Sequence, residues 1–362
     1  MNLNLKRDAK IDYLRVLTML LIIMHHCVVN DFGLQPILKG QQDQKYSMLS
    51  FVIMAGINSL AVVGVNVFFM LSGWCRINFK WKKLFLLVAK VYFVFTIIQA
   101  FGLFTGNINL SLQEIKKLID PLDLYWFIMT YVFLMFASVL LNKIIESWSK
   151  SDFIKYIIAF FVICCIYGFV ADRTLHINRG YSFLMAMALY LLGGGLRKYG
   201  LEILADVRKN FRFYLWFVLI FCVLINTIFV TAFYSMNLGI ISWQFYAYNC
   251  PLIVIESTIL MLLMASGKEV KSNAVSYFAK ATIMAYMLHS TSWLTTIRAM
   301  GTHALIEKCG DLGALIILVL YALFIYSLAV IVEIVYEKTV GRLVGWVYQL
   351  IADKYTNRTI NK

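Results

Sequence analysis

Apolar segments of roughly membrane-spanning length recur along this chain, separated by short connections rich in lysine and arginine. A helix needs about 20 apolar residues to cross a bilayer, and the hydrophobic residues here suffice for about ten such helices. The segments lie at 14–30, 50–74, 84–105, 124–142, 153–172, 181–196, 213–233, 250–266, 275–297 and 312–336. The sequence therefore predicts an all-α, polytopic membrane bundle of about ten transmembrane helices.

A single membrane-embedded domain is predicted to take up all 362 residues, with short tails at 1–10 and 338–362. Hydrophobic residues make up 61% of the chain and charged residues 14%, whereas soluble domains average about 45–50% and about 25%. This composition excludes a soluble enzyme, a secreted disulfide scaffold and a nucleic-acid binder. The seven cysteines show no paired metal-ligand spacing, so we expect them to serve packing and predict no metal site.

The net charge of +14 is explained by the way basic residues are shared between the two sides of the membrane. Connections on the side of the amino terminus hold 21 lysines and arginines, and the other connections hold 8. Cytoplasmic loops carry the excess of positive charge, so both termini are predicted in the cytoplasm. The first apolar run is interpreted as a retained helix, because it contains Arg15 and two histidines and is followed by no small-residue cleavage site.

The first predicted helix carries two ionisable residues, Arg15 and His26, which are eleven positions apart. At about 100° and about 1.5 Å per residue, they share one face and lie ~16 Å apart along the axis. Arg15 is then near the cytoplasmic interface and His26 is well inside the bilayer, with His25 turned to a different direction. Ionisable groups inside a span are costly and indicate a functional site by default. The alternative is an interfacial anchor for Arg15 and satisfied core positions for the histidines.

The ninth predicted helix carries a second deep histidine. His289 lies about fourteen residues, or roughly 20 Å, from the cytoplasmic end of its segment, a depth comparable with that of His26. Histidine is the usual general base near neutral pH, because its pKa lets it take a proton from a hydroxyl and return it. Two imidazoles at similar depth on helices of the same direction are expected to converge on one reaction centre.

Basic residues cluster where the second predicted helix ends. Ser72 and Gly73 lie at that end, level with Arg15, and such a small pair permits close approach of another chain or of a ligand. The basic residues that follow are Arg76, Lys80, Lys82, Lys83 and, in the third helix, Lys90. Two interpretations stay open: the ordinary positive charge of a cytoplasmic loop, or a vestibule for a phosphorylated donor.

Five motifs occur in a fixed order along the chain. They are DYLR-x10-H at 12–26, VNVFFMLSG at 65–73, YWF at 125–127, YNCP at 248–251 and AYMLHS at 285–290. Together they resemble the acyltransferase 3 family of bacterial membrane O-acyltransferases, over about residues 11–336. The resemblance implies an enzyme of the bacterial inner membrane that takes an acyl group, usually acetyl, from cytoplasmic acetyl-CoA. The acceptor it implies is a hydroxyl of an exported or surface polysaccharide or of a glycolipid.

The resemblance also implies roles for individual residues. The arginine–histidine pair of the family falls on Arg15 and His26, and His289 and Tyr286 complete the expected catalytic set. The residues expected to bind the donor are Arg15, Ser72, Gly73, Arg76, Lys82, Lys83 and Lys90. The family usually has arginines in this basic motif, the last followed closely by proline, whereas this chain has lysines and no proline after Lys90.

The expected mechanism begins with His26, which takes the proton of a sugar hydroxyl while the oxygen attacks the thioester and releases CoA thiolate. Tyr286, His289 or Tyr125 is expected to stabilise the developing oxyanion. Direct transfer is preferred, and a transient acyl-enzyme stays an open alternative.

The acceptor is predicted to lie near Tyr125, Trp126 and Glu256. Glu256 is about six residues from the external end of the eighth predicted helix, so it is expected to orient a histidine or to contact the acceptor. The alternatives are a pair with Lys280 or a polar packing network.

A transporter or flippase of a lipid-linked saccharide, acting without acyl chemistry, is the main alternative from another class. Such folds carry helices interrupted by glycine or proline in corresponding halves, and no such internal symmetry is visible in this sequence. The partners expected are acyl-CoA, a polysaccharide or lipid-linked glycan, and membrane lipids, with no nucleic acid. A homodimer is compatible with the sequence.

Overall fold

The computed structural model describes residues 9–42, 46–122, 124–171, 176–207, 210–268 and 272–360. In chain order the α-helices are α1 (Ala9–His26), α2 (Leu34–Leu38), α3 (Met48–Ala61), α4 (Gly64–Cys75), α5 (Trp81–Phe104), α6 (Leu112–Ile119), α7 (Trp126–Ser147), α8 (Lys150–Phe160), α9 (Gly168–Val170), α10 (Phe183–Gly195), α11 (Leu201–Val207), α12 (Phe211–Ser235), α13 (Gly239–Gln244), α14 (Pro251–Ala265), α15 (Asn273–Lys280), α16 (Thr282–Ser290), α17 (Ser292–Lys338) and α18 (Val340–Ile360). No β-strand occurs in these ranges. The protein is all-helical, as the sequence predicts.

Among the described residues, seven helical segments are long and apolar enough to cross a membrane. They are Ala9–Asp31, Met48–Cys75, Trp81–Phe104, Trp126–Ser147, Lys150–Val170, Phe211–Ser235 and Ser292–Lys338. These segments correspond to the first five, the seventh and the tenth predicted spans. The total of about ten spans and the cytoplasmic position of both termini stay predictions.

The ninth predicted span, 275–297, is broken into three helical pieces. Helix α15 ends at Lys280, α16 covers only nine residues, and the extended residue Thr291 separates α16 from α17. Nine residues of α-helix are ~14 Å long, about half the thickness of a bilayer core. A helix that stops at this depth leaves the carbonyl groups of its last turn without helical partners.

Both predicted tails include helical residues. Only Ala9 and Lys10 of the predicted amino-terminal tail belong to the described residues, and both lie in α1. The predicted carboxyl-terminal tail forms α18, a helix of 21 residues that contacts α5 and α17. Helix α17 has 47 residues and is interrupted at Gly310, where the backbone has a φ of 73°.

Helices α4 and α10 pack so closely that a side chain at the contact would overlap the neighbouring backbone. A Cβ atom at Gly73 would lie 1.8 Å from the carbonyl oxygen of Tyr190, and one at Gly193 would lie 1.8 Å from that of Met70. Small residues permit such close approach between membrane helices. The contact fixes α4, which carries Ser72 at the wall of the cavity described below.

Gly193→Ala is expected to destabilise the bundle by more than the roughly 1–3 kcal/mol of ordinary overpacking, because the added methyl meets rigid backbone. The measurement is the thermal midpoint and the monodisperse fraction after extraction into detergent. Gly345→Ala in α18 is the matched control, since a Cβ there meets no atom within 4 Å. Equal recovery and equal thermal midpoints for the two variants would contradict the close α4–α10 contact.

Candidate active site

Helices α1 and α16 bring His26 and His289 together. His289 Nε2 lies 3.0 Å from His26 Nδ1, and the two ring centroids are 4.9 Å apart. His289 is fully buried, whereas His26 keeps part of its surface accessible. The two deep histidines that the sequence predicts to converge are therefore in direct hydrogen-bond contact.

The hydrogen bonds of His26 and His289 determine which of their ring nitrogens carry a proton. His289 Nδ1 lies 2.6 Å from the carbonyl oxygen of Ala285, and since a carbonyl only accepts, this nitrogen carries the proton. In a neutral ring His289 Nε2 is then an acceptor, and His26 Nδ1 donates to it. His26 Nε2 is left with its lone pair, and no group in the described ranges forms a hydrogen bond with it. The pair thus presents one imidazole nitrogen that can take a proton.

His25 belongs to a different wall of the bundle. Its Nδ1 donates to Asn58 Oδ1 of α3 at 2.7 Å, and its ring centroid is 5.5 Å from that of His26. The side chain is buried. It is therefore a satisfied packing histidine beside the pair and not a third member of it.

Aromatic rings pack beside His289. Tyr286 packs edge-on against His289 with centroids 5.7 Å apart, and Phe127 lies 5.3 Å from Tyr286. The Tyr125 hydroxyl is 2.8 Å from Thr291 Oγ1, and because Thr291 donates its own proton to the Met287 carbonyl, Tyr125 is the donor. The proton of Tyr125 is thus already used, and of the two tyrosines only Tyr286 stays a candidate to stabilise an oxyanion.

A cavity of about 600 Å³ opens at the Arg15 end of the bundle. Of the residues predicted to bind the donor, four line it: Arg15, Ser72, Arg76 and Lys83. Lys280 adds a further positive charge, and Phe127, the neighbour of Tyr286, forms part of the wall. We call this space the basic cavity.

Arg15 is held in the basic cavity by two neighbours. Its Nη1 pairs with Asp12 Oδ1 at 2.8 Å, and its Nη2 donates to Cys75 Sγ at 3.3 Å. Asp12 is fully buried and also accepts a hydrogen bond from Ser276. The guanidinium is therefore fixed in direction and keeps 27% of its side-chain surface exposed.

Three residues predicted to bind the donor lie elsewhere. Gly73 faces α10, where its lack of a side chain serves helix packing. Lys82 is exposed and does not line the basic cavity. Lys90 pairs with Glu333 at 2.5 Å inside the α5–α17 contact and lies over the ring of Tyr336. Helix packing accounts for Gly73 and a buried ion pair accounts for Lys90. The structure does not bring these three residues together with Arg15 at the basic cavity, and their binding of the donor stays a prediction.

Two of the predicted acceptor residues, Tyr125 and Trp126, belong to an aromatic cluster. Trp126 is half-buried and packs against Tyr181 and Tyr248, with centroids 5.0 and 6.1 Å away. Tyr125 is buried at 3% exposure. The structure places these aromatic residues in a packed cluster at the start of α7.

Glu256 lies in surroundings that the sequence analysis did not predict. It is fully buried in α14, and both of its carboxyl oxygens lack a hydrogen-bond partner in the described ranges. Cys222 and Tyr246 lie close enough to interact electrostatically with its carboxyl group. Lys280 pairs with Glu337 at 2.9 Å instead. In the described ranges Glu256 therefore pairs neither with a histidine nor with Lys280, and its contact with the acceptor stays a prediction.

Two residues near the histidine pair, on the side away from the basic cavity, were missed by the sequence analysis. Arg298, which lies between the predicted spans 275–297 and 312–336, is 8% exposed and forms an ion pair with Asp31. Its Nη1 donates to the carbonyl of His289 at 2.7 Å. The signal was present in the chain: Asp31 follows His26 by five residues, and Arg298 follows His289 by nine.

The fold and this site define a multi-pass membrane protein that holds a pair of hydrogen-bonded histidines in its interior and a basic cavity near Arg15. Comparison with protein-family models matches residues 8–338 to the acyltransferase 3 family, described as an acyltransferase domain. The chain belongs to this family and is a membrane acyltransferase. Comparisons with curated proteins and with solved structures give no match.

Proposed function

We propose that this protein transfers an acetyl group from cytoplasmic acetyl-CoA to a hydroxyl of an exported or surface polysaccharide or of a glycolipid. The bacterial inner membrane is its proposed location. The observation that carries the proposal is the His26–His289 pair, whose hydrogen bonds leave His26 Nε2 as a free base. That base lies on the same helix as Arg15, which lines the basic cavity.

The basic cavity suits the donor. Its volume of about 600 Å³ falls within the range of roughly 300–1,000 Å³ that is usual for small-molecule sites. Arg15, Arg76, Lys83 and Lys280 supply positive charge for the phosphates of CoA, and arginine binds phosphate with a planar, bidentate fork. The thin thioester arm would extend from this cavity past Phe127 and Tyr286 toward His26.

The reaction proposed is a direct transfer. His26 Nε2 takes the proton of the acceptor hydroxyl as its oxygen attacks the thioester carbon, the carbon–sulfur bond breaks, and the proton passes to the CoA thiolate. His289 keeps the His26 ring oriented by accepting a hydrogen bond from its Nδ1–H, and Tyr286 stabilises the oxyanion. An acyl-enzyme on Ser290 is disfavoured, because its hydroxyl donates to the Tyr286 carbonyl and not to a histidine.

Release of CoA by purified protein in liposomes tests the proposal. With acetyl-CoA and a lipid-linked or polymeric glycan present, free CoA thiol is expected to appear only when both substrates are supplied. Translocation of the glycan without any CoA release would instead support a flippase and overturn the proposal. Comparing the O-acetyl content of surface glycans in cells with and without the gene then identifies the acceptor.

Arg15→Ala is expected to raise the KM for acetyl-CoA by about 10- to 100-fold, the effect of losing one charged hydrogen bond to phosphate. The KM for the acceptor should stay unchanged, and Arg15→Lys should be intermediate because lysine lacks the bidentate fork. Steady-state kinetics with each substrate varied in turn measure this. An Arg15→Ala protein that changes only acceptor affinity would contradict the assignment of the basic cavity to the donor.

Neighbouring lysines provide a sharper comparison for the same cavity. Lys82 and Lys83 are adjacent in sequence and both are exposed. Lys83 lines the basic cavity, whereas Lys82 does not. Lys83→Ala is therefore expected to raise the KM for acetyl-CoA, whereas Lys82→Ala should leave it at the wild-type value. Equal effects would mean that the lysines act only through the general charge of the loop.

A further inference from the structure

The Asp31–Arg298 ion pair joins the two chain segments that carry the histidines. Asp31 ends a π-helical turn, Cys27–Asp31, that continues α1 directly beyond His26. Arg298 lies in the first turns of α17 and donates from Nε to Asp31 Oδ2. Both side chains are buried, at 1% and 8% exposure. The pair therefore bridges α1 and α17 just beyond the reaction centre.

Arg298 also holds the backbone of His289. Helix α16 ends at Ser290, so the carbonyl of His289 has no helical partner and needs another donor. Arg298 Nη1 supplies it at 2.7 Å, and Thr295 Oγ1 lies 3.4 Å away. The contacts form a closed ring: His26 bonds to His289, whose carbonyl accepts from Arg298, which pairs with Asp31 on the segment that carries His26.

Stability alone is a weak reason for such a pair. Removing two charges from water costs about as much as their attraction returns, and a buried ion pair is often no better than apolar residues of the same size. Arginine here uses the fork that lysine lacks, since it binds a carboxylate and a carbonyl at the same time. The contact is therefore explained by its geometry: Arg298 holds Asp31 and the carbonyl of His289 in fixed positions relative to each other.

We propose that Asp31 and Arg298 are positioning residues that hold His289, and through it His26, in the orientation that acyl transfer requires. This inference rests on the proposed function. The pair lies at the end of α1 opposite to the basic cavity, which neither residue lines. It also borders a separate cavity of about 200 Å³, so the guanidinium has room to turn away once Asp31 is neutralised.

The positioning role predicts a change in kcat and none in the KM for acetyl-CoA. Arg298→Lys keeps the charge but reaches one acceptor at a time, so we expect kcat to fall by roughly 10- to 100-fold, the effect of a small misplacement of a reacting group. The KM for acetyl-CoA should stay at its wild-type value. Asp31→Asn should behave similarly, because it keeps the shape of the aspartate and removes the charge that fixes Arg298.

Cross-linking tests the geometry without relying on catalysis. In a background with the seven native cysteines replaced, His26→Cys and His289→Cys are introduced and treated with a short bifunctional thiol reagent. Addition of Arg298→Gln is expected to slow cross-linking at least about tenfold. Glu333→Gln is the matched control: it breaks another buried ion pair, Lys90–Glu333, and should leave the rate unchanged.

The outcomes separate the two proposals. An unchanged cross-linking rate in a monodisperse Arg298→Gln protein, or in Asp31→Asn if the first variant does not fold, would overturn the positioning role. So would an Arg298→Lys protein with wild-type kcat. If instead cross-linking slows as expected while His26→Gln retains full acyl transfer, the positioning contact stands and the proposed chemistry fails.

Discussion

A His26→Gln protein is expected to insert and fold like the wild type but to transfer acyl groups about 10²- to 10⁴-fold more slowly, the usual contribution of a general base. Glutamine keeps much of the volume and polarity of the ring, so the contact with His289 retains a polar partner. Its amide cannot take a proton from a hydroxyl. The loss would therefore come from chemistry and not from a damaged bundle.

The adjacent histidine makes this comparison specific. His25→Gln should have a milder effect, because His25 bonds to Asn58 and the glutamine amide can still donate to that oxygen. Both variants should be expressed to the same level, solubilised and assayed for CoA release with donor and acceptor present. Near-normal activity of a well-folded His26→Gln protein would contradict the assignment of the base, whatever the His25 variant does.

The second large effect concerns His289. His289→Ala removes the acceptor that orients His26, and we expect a fall in kcat of about 100-fold, as for other misplaced reacting groups. Residues that act as a unit give non-additive losses. The protein with both His26→Ala and His289→Ala should thus be scarcely slower than the worse single variant.

The variant His289→Gln tests whether His289 orients the His26 ring or only fills space in the bundle. His289→Gln offers an amide oxygen to the His26 Nδ1 proton, so it should recover part of the activity that His289→Ala loses. The measurement is the full set of rate constants for the single and double variants. Strict additivity, together with no advantage of glutamine over alanine, would show that His289 is only a packing residue.

The helical pattern of α1 was sufficient to predict part of this site. An eleven-residue spacing places Arg15 and His26 on one face, and the structure puts Arg15 in the basic cavity and His26 in the pair. The depth of His289 was predicted from a continuous helix, whereas the structure interrupts that segment around α16. The segment 275–297 contains no glycine or proline, so the sequence was interpreted as one helix. The two interruptions coincide with Lys280 and with the polar run at 289–292, a signal that the hydropathy of the whole segment conceals.

Three residues, Gly73, Lys90 and Arg298, have partners that their local sequence does not predict. Small residues permit close approach without specifying the partner, and the partner of Gly73 is the backbone of Tyr190. Lys90 lies in a predicted span and Arg298 in a predicted connection, and neither position indicates a partner. Burial and opposite charges decide their roles, and both lie in ion pairs that connect segments far apart in sequence. Only the fold brings such pairs together.

The most direct test of the account is transfer of label from radioactive acetyl-CoA in inverted membrane vesicles, which expose their cytoplasmic face. Wild-type protein and His26→Gln at equal abundance are compared with the acceptor glycan present. We predict that label enters the glycan with the wild-type protein and that the initial rate falls at least about 100-fold with His26→Gln. Equal incorporation by the two proteins would contradict the claim that the His26–His289 pair performs acyl transfer.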